Sequence, residues 1–567
     1  MSIDEFGVPA IDESSGEANG DLPETGAALD PRRWFTLAVV TACIVIIALD
    51  STILNVSLPT MVRDLGSTVP TLQWVITGYA LTLASLLLIG GRLGDLFGHR
   101  RMFIIGAGLF GFGSLLAALA GSVPQLIIGE SLIEGIGAAL MMPASLAILS
   151  NTFSGHERAV AFGVWGAVAG ASGALGPVLG GVLTSNASWR WSFGINVIVA
   201  PLAIAGAVMW IPKSPRRAER PKIDLLGAGL VSAAMFLFIF GVTEGSRHGW
   251  LVPRQEFSLG RLLVWPTGRP VSISIVAFVV ALVAFVVFHR HERRLSRSDV
   301  EPLFDFDLLQ AIPFRNGLAG AICLVAGTSV LQFVLPLFLQ DGKHLSAQTN
   351  GLWQFPLGLS VIVGAQIGAR GVRRFGAIDT VRTGMVSSML GLSYIAMMLS
   401  DSLTFWRLLP GLVLTGLGIG CGFAQLTNIA ITGIRQSKMG VASAANAASR
   451  HLGSALGVAV VSTTLVSQAA AKAASAVRGV DGVSPAVRAD ALASIHANGI
   501  GFSAPASATP REAALLDHAL ADSLAGAGRL PLILAVGAII TAFALVTRIG
   551  RRSLAERPTV AAPAVAH

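Results

Sequence analysis

The chain has 567 residues, of which 53% are hydrophobic and only 13% charged, with a mean hydropathy of +0.69. A soluble domain carries about 25% charged residues, so this balance excludes an ordinary water-soluble protein and reads as a polytopic membrane protein. The net charge of +8 is divided among short basic clusters between apolar runs, which argues against a nucleic-acid-binding face.

The first 30 residues hold eight acidic side chains and no Lys or Arg. Residues 1–33 are therefore expected to be a disordered acidic cytoplasmic tail. Lacking the basic start of a signal peptide, the tail leaves the first span to act as an uncleaved targeting signal. Apolar runs of about 20 residues, each enough to cross roughly 30 Å of hydrocarbon, then recur from residue 34 to residue 548, and we count fourteen. Arg32-Arg33, Arg100-Arg101, Lys213 with Arg216-Arg217, Arg290 with Arg293-Arg294, Arg373-Arg374, Arg435 with Lys438, and Arg551-Arg552 all fall on one side of such a topology. By the positive-inside rule that side is the cytoplasm, with both termini there. Arg outnumbers Lys 35 to 5, a coding bias that points to a bacterial cytoplasmic membrane.

Span 1 contains Asp50, a carboxylate that costs roughly 2.5 to 3.5 kcal/mol at a helix centre in lipid. It reads as a cavity residue for proton or substrate, with helix bending as the bland alternative. After span 2 comes Gly91-Arg-Leu-Gly94-Asp95-Leu-Phe-Gly98-His-Arg-Arg101. Its glycines allow close helix approach, and Asp95 can pair with a cation or a helix N-terminus. Span 3 contains Gly106-Ala-Gly108-Leu-Phe-Gly111, which matches GxGxxG, but no strand precedes it, so it reads as a packing face. Span 4 carries Glu130 and Glu134, which share a helix face at i, i+4 and form a candidate proton site with Asp50. One of the two can instead face a polar loop partner near the extracytoplasmic end.

Span 5 contains Gly173-Ala-Leu-Gly176-Pro177-Val-Leu-Gly180-Gly181, where Pro177 removes a backbone hydrogen bond and is expected to kink the helix, while Gly176, Gly180 and Gly181 permit tight contact. Span 6 opens with Trp189-Arg190-Trp191-Ser-Phe-Gly-Ile-Asn196. Arg190 and Asn196 are possible polar cavity residues, although two flanking tryptophans also suit Arg190 as an interfacial anchor. Spans 7 and 8, near 223–243 and 271–289, follow the first block, with a small extracytoplasmic hairpin expected at 254–270. A second six-span block runs to residue 548. Its Gly371-Val-Arg373-Arg374-Phe-Gly376 faintly repeats the span 2–3 loop, with Arg373 opposite Asp95. Arg450 in span 13 can lie in the interior or at the membrane surface. Within 469–528, Thr509-Pro-Arg-Glu512 matches a capping box and predicts a surface helix ending near Gly526. Cys43, Cys323 and Cys421 are far apart and suggest neither a disulfide framework nor a metal site.

The Gly91–Arg101 segment resembles the loop 2-3 signature of the major facilitator superfamily, and the Gly176-Pro177 segment resembles its antiporter signature. With Leu49–Pro59, the span 6 opening, Leu335-Pro-Leu-Phe-Leu-Gln340, the Gly416–Gly422 run and Ala442–Gly453, the chain is similar over about 34–548 to the fourteen-helix drug:proton antiporter branch of multidrug efflux proteins. The resemblance implies an all-α fold of two six-helix bundles plus two extra helices. Its expected divisions are a bundle at 34–212, a linker with two extra helices at 213–297, a bundle at 298–548 with an extracytoplasmic loop at 469–528, and a cytoplasmic tail at 549–567. It also implies a conformational latch at Gly91, Asp95, Gly98 and Arg101. One departure stands out: the branch's span 4 pattern R-x-x-Q-G reads Ser131-Leu-Ile-Glu134-Gly135 here, so the Arg assigned to proton coupling is missing.

The expected function is secondary export of hydrophobic or amphipathic small molecules, cationic on charge grounds, by proton antiport and alternating access. The nearest alternative is an exporter or flippase-like transporter of an endogenous lipid, siderophore or metabolite, without proton coupling. A membrane enzyme would need a catalytic constellation such as HExxH, and none occurs in the sequence. A non-transporting sensor would leave flux untouched by changes in the acids. No cofactor, catalytic residue, metal site or nucleic-acid partner is expected. The expected partners are substrate, protons and membrane lipid, around a monomer.

Overall fold

The computed structural model describes residues 32–213, 224–295 and 303–549, apart from 68, 255, 260–262, 344, 436–437, 499–504 and 506. Nearly all of the expected terminal tails and the whole basic segment 214–222 lie outside these residues. The first helices are α1 (Arg33–Asp64), α2 (Val69–Phe97), α3 (His99–Ala118), α4 (Val123–Leu126), α5 (Gly135–Thr152), α6 (Gly155–Asn186) and α7 (Trp191–Trp210). A π-helical stretch, Ile127–Glu134, joins α4 to α5 into one continuous rod. There follow α8 (Leu225–His248), a two-stranded antiparallel hairpin of β1 (Phe257–Leu259) and β2 (Leu263–Trp265), and α9 (Ile273–Leu295). The remainder is α10 (Ile312–Leu337), α11 (Ala347–Phe375), α12 (Ala377–Met398), α13 (Phe405–Ile431), α14 (Met439–Val461), α15 (Ser467–Gly479), α16 (Pro485–Asn498) and α17 (Pro510–Thr547).

Eleven of the described helical rods are long and apolar enough to cross a membrane. Three more, α6, α12 and α14, have the length but are less apolar, which brings the described total of membrane-length helices to fourteen. Because lipid supplies no hydrogen bonds to backbone, helices satisfying their own backbone are what such a sequence can form there. The lipid side is written in α9, where Val279, Leu282, Val283 and Phe285 stand exposed while Ala277, Ala281 and Phe288 are buried.

With no hydrophobic driving force between helices in lipid, small residues let backbones approach. A side chain at Gly90 would meet the Ala139 carbonyl oxygen at 2.1 Å, and one at Gly420 the Val361 oxygen at 2.1 Å. These contacts seat α2 on α5 and α13 on α11. One large buried cluster runs through α1 to α9 and takes in Phe314, Ile431 and Met439 from the second half. Another lies among α10 to α14 and α17.

Two expectations need correction. The surface helix predicted to end near Gly526 does not end there, because α17 continues unbroken to Thr547. Gly526 has no helix-terminating conformation, and the apolar run beyond it carries the helix into the bundle. The capping box itself forms, with Thr509 Oγ1 accepting from the Glu512 N–H and Glu512 accepting from the Thr509 N–H. Within 469–528 the described residues hold three helical pieces, α15, α16 and the start of α17, in place of the one expected surface helix. α15, α16 and the first turns of α17 close on an apolar cluster of Ala473, Val477, Val487, Ile495, Leu516 and Leu520, at the end of α14 opposite Gly440. The α8 and α9 helices also run longer than the expected 223–243 and 271–289, to His248 and Leu295. Between them, Phe257–Leu259 pairs antiparallel with Leu263–Trp265, within the 254–270 segment expected to hold a hairpin.

Candidate functional site

Three elements bring the acids together. Asp50 sits in the second half of α1, and Glu130 and Glu134 project from the π-helical stretch. A π turn adds a residue to the α repeat and often marks a functional site; here it sets the face that the two glutamates present. Candidate oxygens of Asp50, Glu130 and Glu134 all lie within 4.8 Å of one another. The three residues are 2%, 0% and 0% exposed. Asn196, from α7, ties the group together. Its amide nitrogen donates to Asp50 Oδ1 and to Glu134 Oε1, both at 3.1 Å.

Tyr79 on α2 lies beside all three acids, and its buried hydroxyl has no partner among the described residues. The sequence reading passed over it, although it is one of only two tyrosines in the chain and falls inside an apolar span. At the position where the branch pattern has its Arg, Ser131 Oγ donates to the Val75 carbonyl at 2.8 Å, so the missing cation is replaced by a helix-to-helix tie. Three full negative charges this close in a low-dielectric interior, with no basic side chain pairing to them among the described residues, are electrostatically untenable. The group must bind protons or a cation, and three buried carboxylates are a donor set that either would fit.

The latch residues divide. Asp95, its side chain 1% exposed, accepts hydrogen bonds from the backbone N–H groups of Gly440 at 2.8 Å and Val441 at 3.0 Å. It thus caps the N-terminus of α14 from the other half of the molecule. Gly91 makes room, since a side chain there would meet the Gly440 oxygen at 2.5 Å. Gly98 turns the chain into α3 with φ 95°, and its counterpart Gly376 does the same with φ 87°, so the faint repeat is a repeat of backbone geometry. Arg101 is exposed on the first turn of α3 and lies outside the Asp95 contact.

Of the span 5 residues, Gly180 packs on Ile53 of α1. α6 continues through Gly176, Pro177 and Gly181 without a break. Arg190 is not brought to the acids. Its guanidinium donates to the Ala120 carbonyl at 3.0 Å and stacks over Trp189 at 4.3 Å, the anchor arrangement rather than the cavity one. Arg450 lies in the interior, with its guanidinium carbon 4.2 Å from the Phe423 ring centroid and 4.9 Å from that of Trp165. Neither aromatic was singled out from sequence.

A sequence model of the Major Facilitator Superfamily matches residues 40–458. The chain is 32% identical over 469 residues to a probable actinorhodin transporter of Streptomyces coelicolor, covering 80% of this chain and 77% of that one. It is 32% identical over 482 residues to a puromycin resistance protein of Streptomyces alboniger, covering 83% of this chain and 89% of that one. Its fold is similar to that of a human organic anion transporter, with a TM-score of 0.52 and 15% identity over 89% of this chain and 100% of that one. The chain is a multi-pass membrane protein of the Major Facilitator Superfamily.

Proposed function

We propose that this protein exports hydrophobic or amphipathic drug-like molecules across a bacterial cytoplasmic membrane by proton antiport, with both termini cytoplasmic. The observation that carries the reading is the buried Asp50, Glu130 and Glu134 group bridged by Asn196. A site that is stable only with its charge compensated is a site that takes up and releases protons as its surroundings open to water. The relatives named for antibiotic transport and resistance support a cargo of that kind.

In this mechanism the halves at 34–212 and 298–548 rock about the seam, with the helices of 213–297 alongside. The Asp95 cap on α14 holds the cytoplasmic side shut. Breaking it and rehydrating the acid group are alternate steps of one cycle, so that proton entry is tied to reopening. Asn196 positions Asp50 and Glu134 and keeps their oxygens converged as protons come and go.

The test is proton-gradient-driven movement of ethidium in inverted vesicles, comparing wild type with Asp50→Asn and Glu134→Gln. Movement that collapses with the gradient and fails in both variants is expected. Ethidium movement that persists without the gradient refutes antiport. No movement in well-folded wild type turns the reading to a lipid or metabolite cargo.

A further inference from the structure

We infer that Arg450, walled by Trp165 and Phe423, is the cargo-binding cation of this transporter, and that the cargo it takes is an aromatic molecule bearing an anionic group. The inference rests on the export reading above and names the substrate class.

Arg450 lies eleven residues past the start of α14, or about 17 Å along the helix at 1.5 Å per residue. That is near the middle of a hydrocarbon core of about 30 Å. Trp165 comes from α6 of the first half and Phe423 from α13 of the second, so the guanidinium sits on the seam between the halves. A charge at that depth is costly and marks a substrate or ion pathway unless a partner neutralises it. Among the described residues no carboxylate pairs with Arg450, and its Nη1 is buried without a hydrogen-bond partner. The two rings compensate the charge in part through their electron-rich faces, but they accept none of its N–H groups.

The neighbouring polar atoms point the same way. Trp165 is fully buried, and its indole N–H has no acceptor. Asn446, one turn before Arg450 on the same face of α14, is fully buried with neither amide atom partnered. Arg450 Nη1 and the indole N–H of the ring beside it lack partners, and the unpartnered Asn446 amide lies one helical turn away on the same face. Unpartnered N–H donors on a cation and an indole, beside two aromatic walls, suit a carboxylate, sulfonate or phenolate on a flat ring system: the anion takes the donors and the ring slides beside Trp165 and Phe423. The acids that suggested a cationic cargo converge on one another, with Asn196 bridging Asp50 and Glu134, and belong to α1 and the π-helical stretch of the first half, so we assign proton chemistry to that group and cargo recognition to the seam.

The test measures equilibrium binding of carboxyfluorescein, an anionic aromatic dye, and of ethidium, a cationic one, to purified protein in detergent by fluorescence polarisation. Wild type should bind carboxyfluorescein saturably. Arg450→Gln should weaken that binding tenfold or more, and Arg450→Lys, which keeps the charge and loses the planar stack, by an intermediate factor. Trp165→Phe, which keeps the wall and removes the N–H, should weaken it a few-fold, and ethidium binding should stay within twofold throughout. Should Arg450→Gln fail to give monodisperse protein, the Lys and Trp165→Phe variants carry the comparison. Absence of saturable carboxyfluorescein binding in wild type, variants within twofold of wild type, or equal loss for both dyes would overturn the assignment. Arg450-dependent binding with no gradient-driven movement would refute antiport and leave this site standing. Gradient-driven ethidium movement lost in Asp50→Asn, with no carboxyfluorescein binding, would do the reverse.

Discussion

Replacing Asp95 by Ala removes the only side chain that the described structure shows capping α14 from the first half. The carboxylate accepts two backbone N–H groups, at 2.8 and 3.0 Å, from the second and third residues of a 23-residue helix. Hydrogen bonds to a charged acceptor contribute about 1.5 kcal/mol each at the low end, so the pair contributes about 3 kcal/mol to the state in which these ends of the two halves touch. At 1.4 kcal/mol per factor of ten, its loss shifts the closed-to-open ratio by about a hundredfold. These net values already allow for water reaching the freed N–H groups. Spin labels at the exposed positions Arg101 and Arg435, in a background without native cysteines, report the cytoplasmic separation by double electron–electron resonance. Asp95→Ala should add a longer-distance population that wild type lacks, and Asp95→Asn, which keeps one acceptor oxygen, should add less of it. An unchanged distance distribution in Asp95→Ala would refute the cap as a latch.

Asn196→Leu strips two hydrogen bonds from the acid group and should slow gradient-driven transport at least tenfold while leaving detergent binding of cargo within a few-fold. Transport at the wild-type rate would show that Asn196 does not position the acids. Asp224 caps α8, and although burial pushes its carboxyl up, the Gly227 N–H and the His291 ring at 3.0 Å hold it below the usual carboxylate range. A depressed folded value stabilises above the unfolded one, about 3.9, and the benefit is lost as pH falls through the folded value. The melting advantage of wild type over Asp224→Ala should therefore hold from pH 7 to about pH 5 and shrink below about pH 4, and a difference that instead grows on acidification would contradict it. Gly90→Val forces a side chain against the Ala139 carbonyl and should cost about 1 to 3 kcal/mol or more through overpacking. Thermal unfolding in detergent checks this, and an unchanged midpoint would show that α2 and α5 can separate freely.

Much of the architecture was legible in composition and local pattern. Spans of about 20 apolar residues must become helices in lipid because nothing else satisfies their backbone, and Thr509-Pro-Arg-Glu512 specifies a helix start by side-chain chemistry alone. The turn glycine at Gly98 and the acid at Asp95 were readable for the same reason, since each answers a local demand of the backbone. The end of α17 was not legible, because Gly526 carries no stop signal that outweighs the apolar run beyond it. That residues 469–528 close into packed helices was hidden too, as their apolar positions make sense only against one another.

The sequence by itself placed carboxylates at Asp50, Glu130 and Glu134 and a cation at Arg450 within apolar spans, and left open whether Arg450 lies in the interior or at the membrane surface. Only the tertiary structure decided which charges meet. Asn196 joins α7 to α1 and to the π turn, Arg190 goes to a loop carbonyl, and Trp165 and Phe423 arrive at Arg450 from opposite halves of the chain, 258 positions apart in sequence. Hydropathy and spacing fix what a helix buries, because the cost is paid residue by residue in lipid. Which neighbour a buried side chain faces depends on helix rotation and on the close backbone approaches at the glycines, and those are set by all the packed helices together.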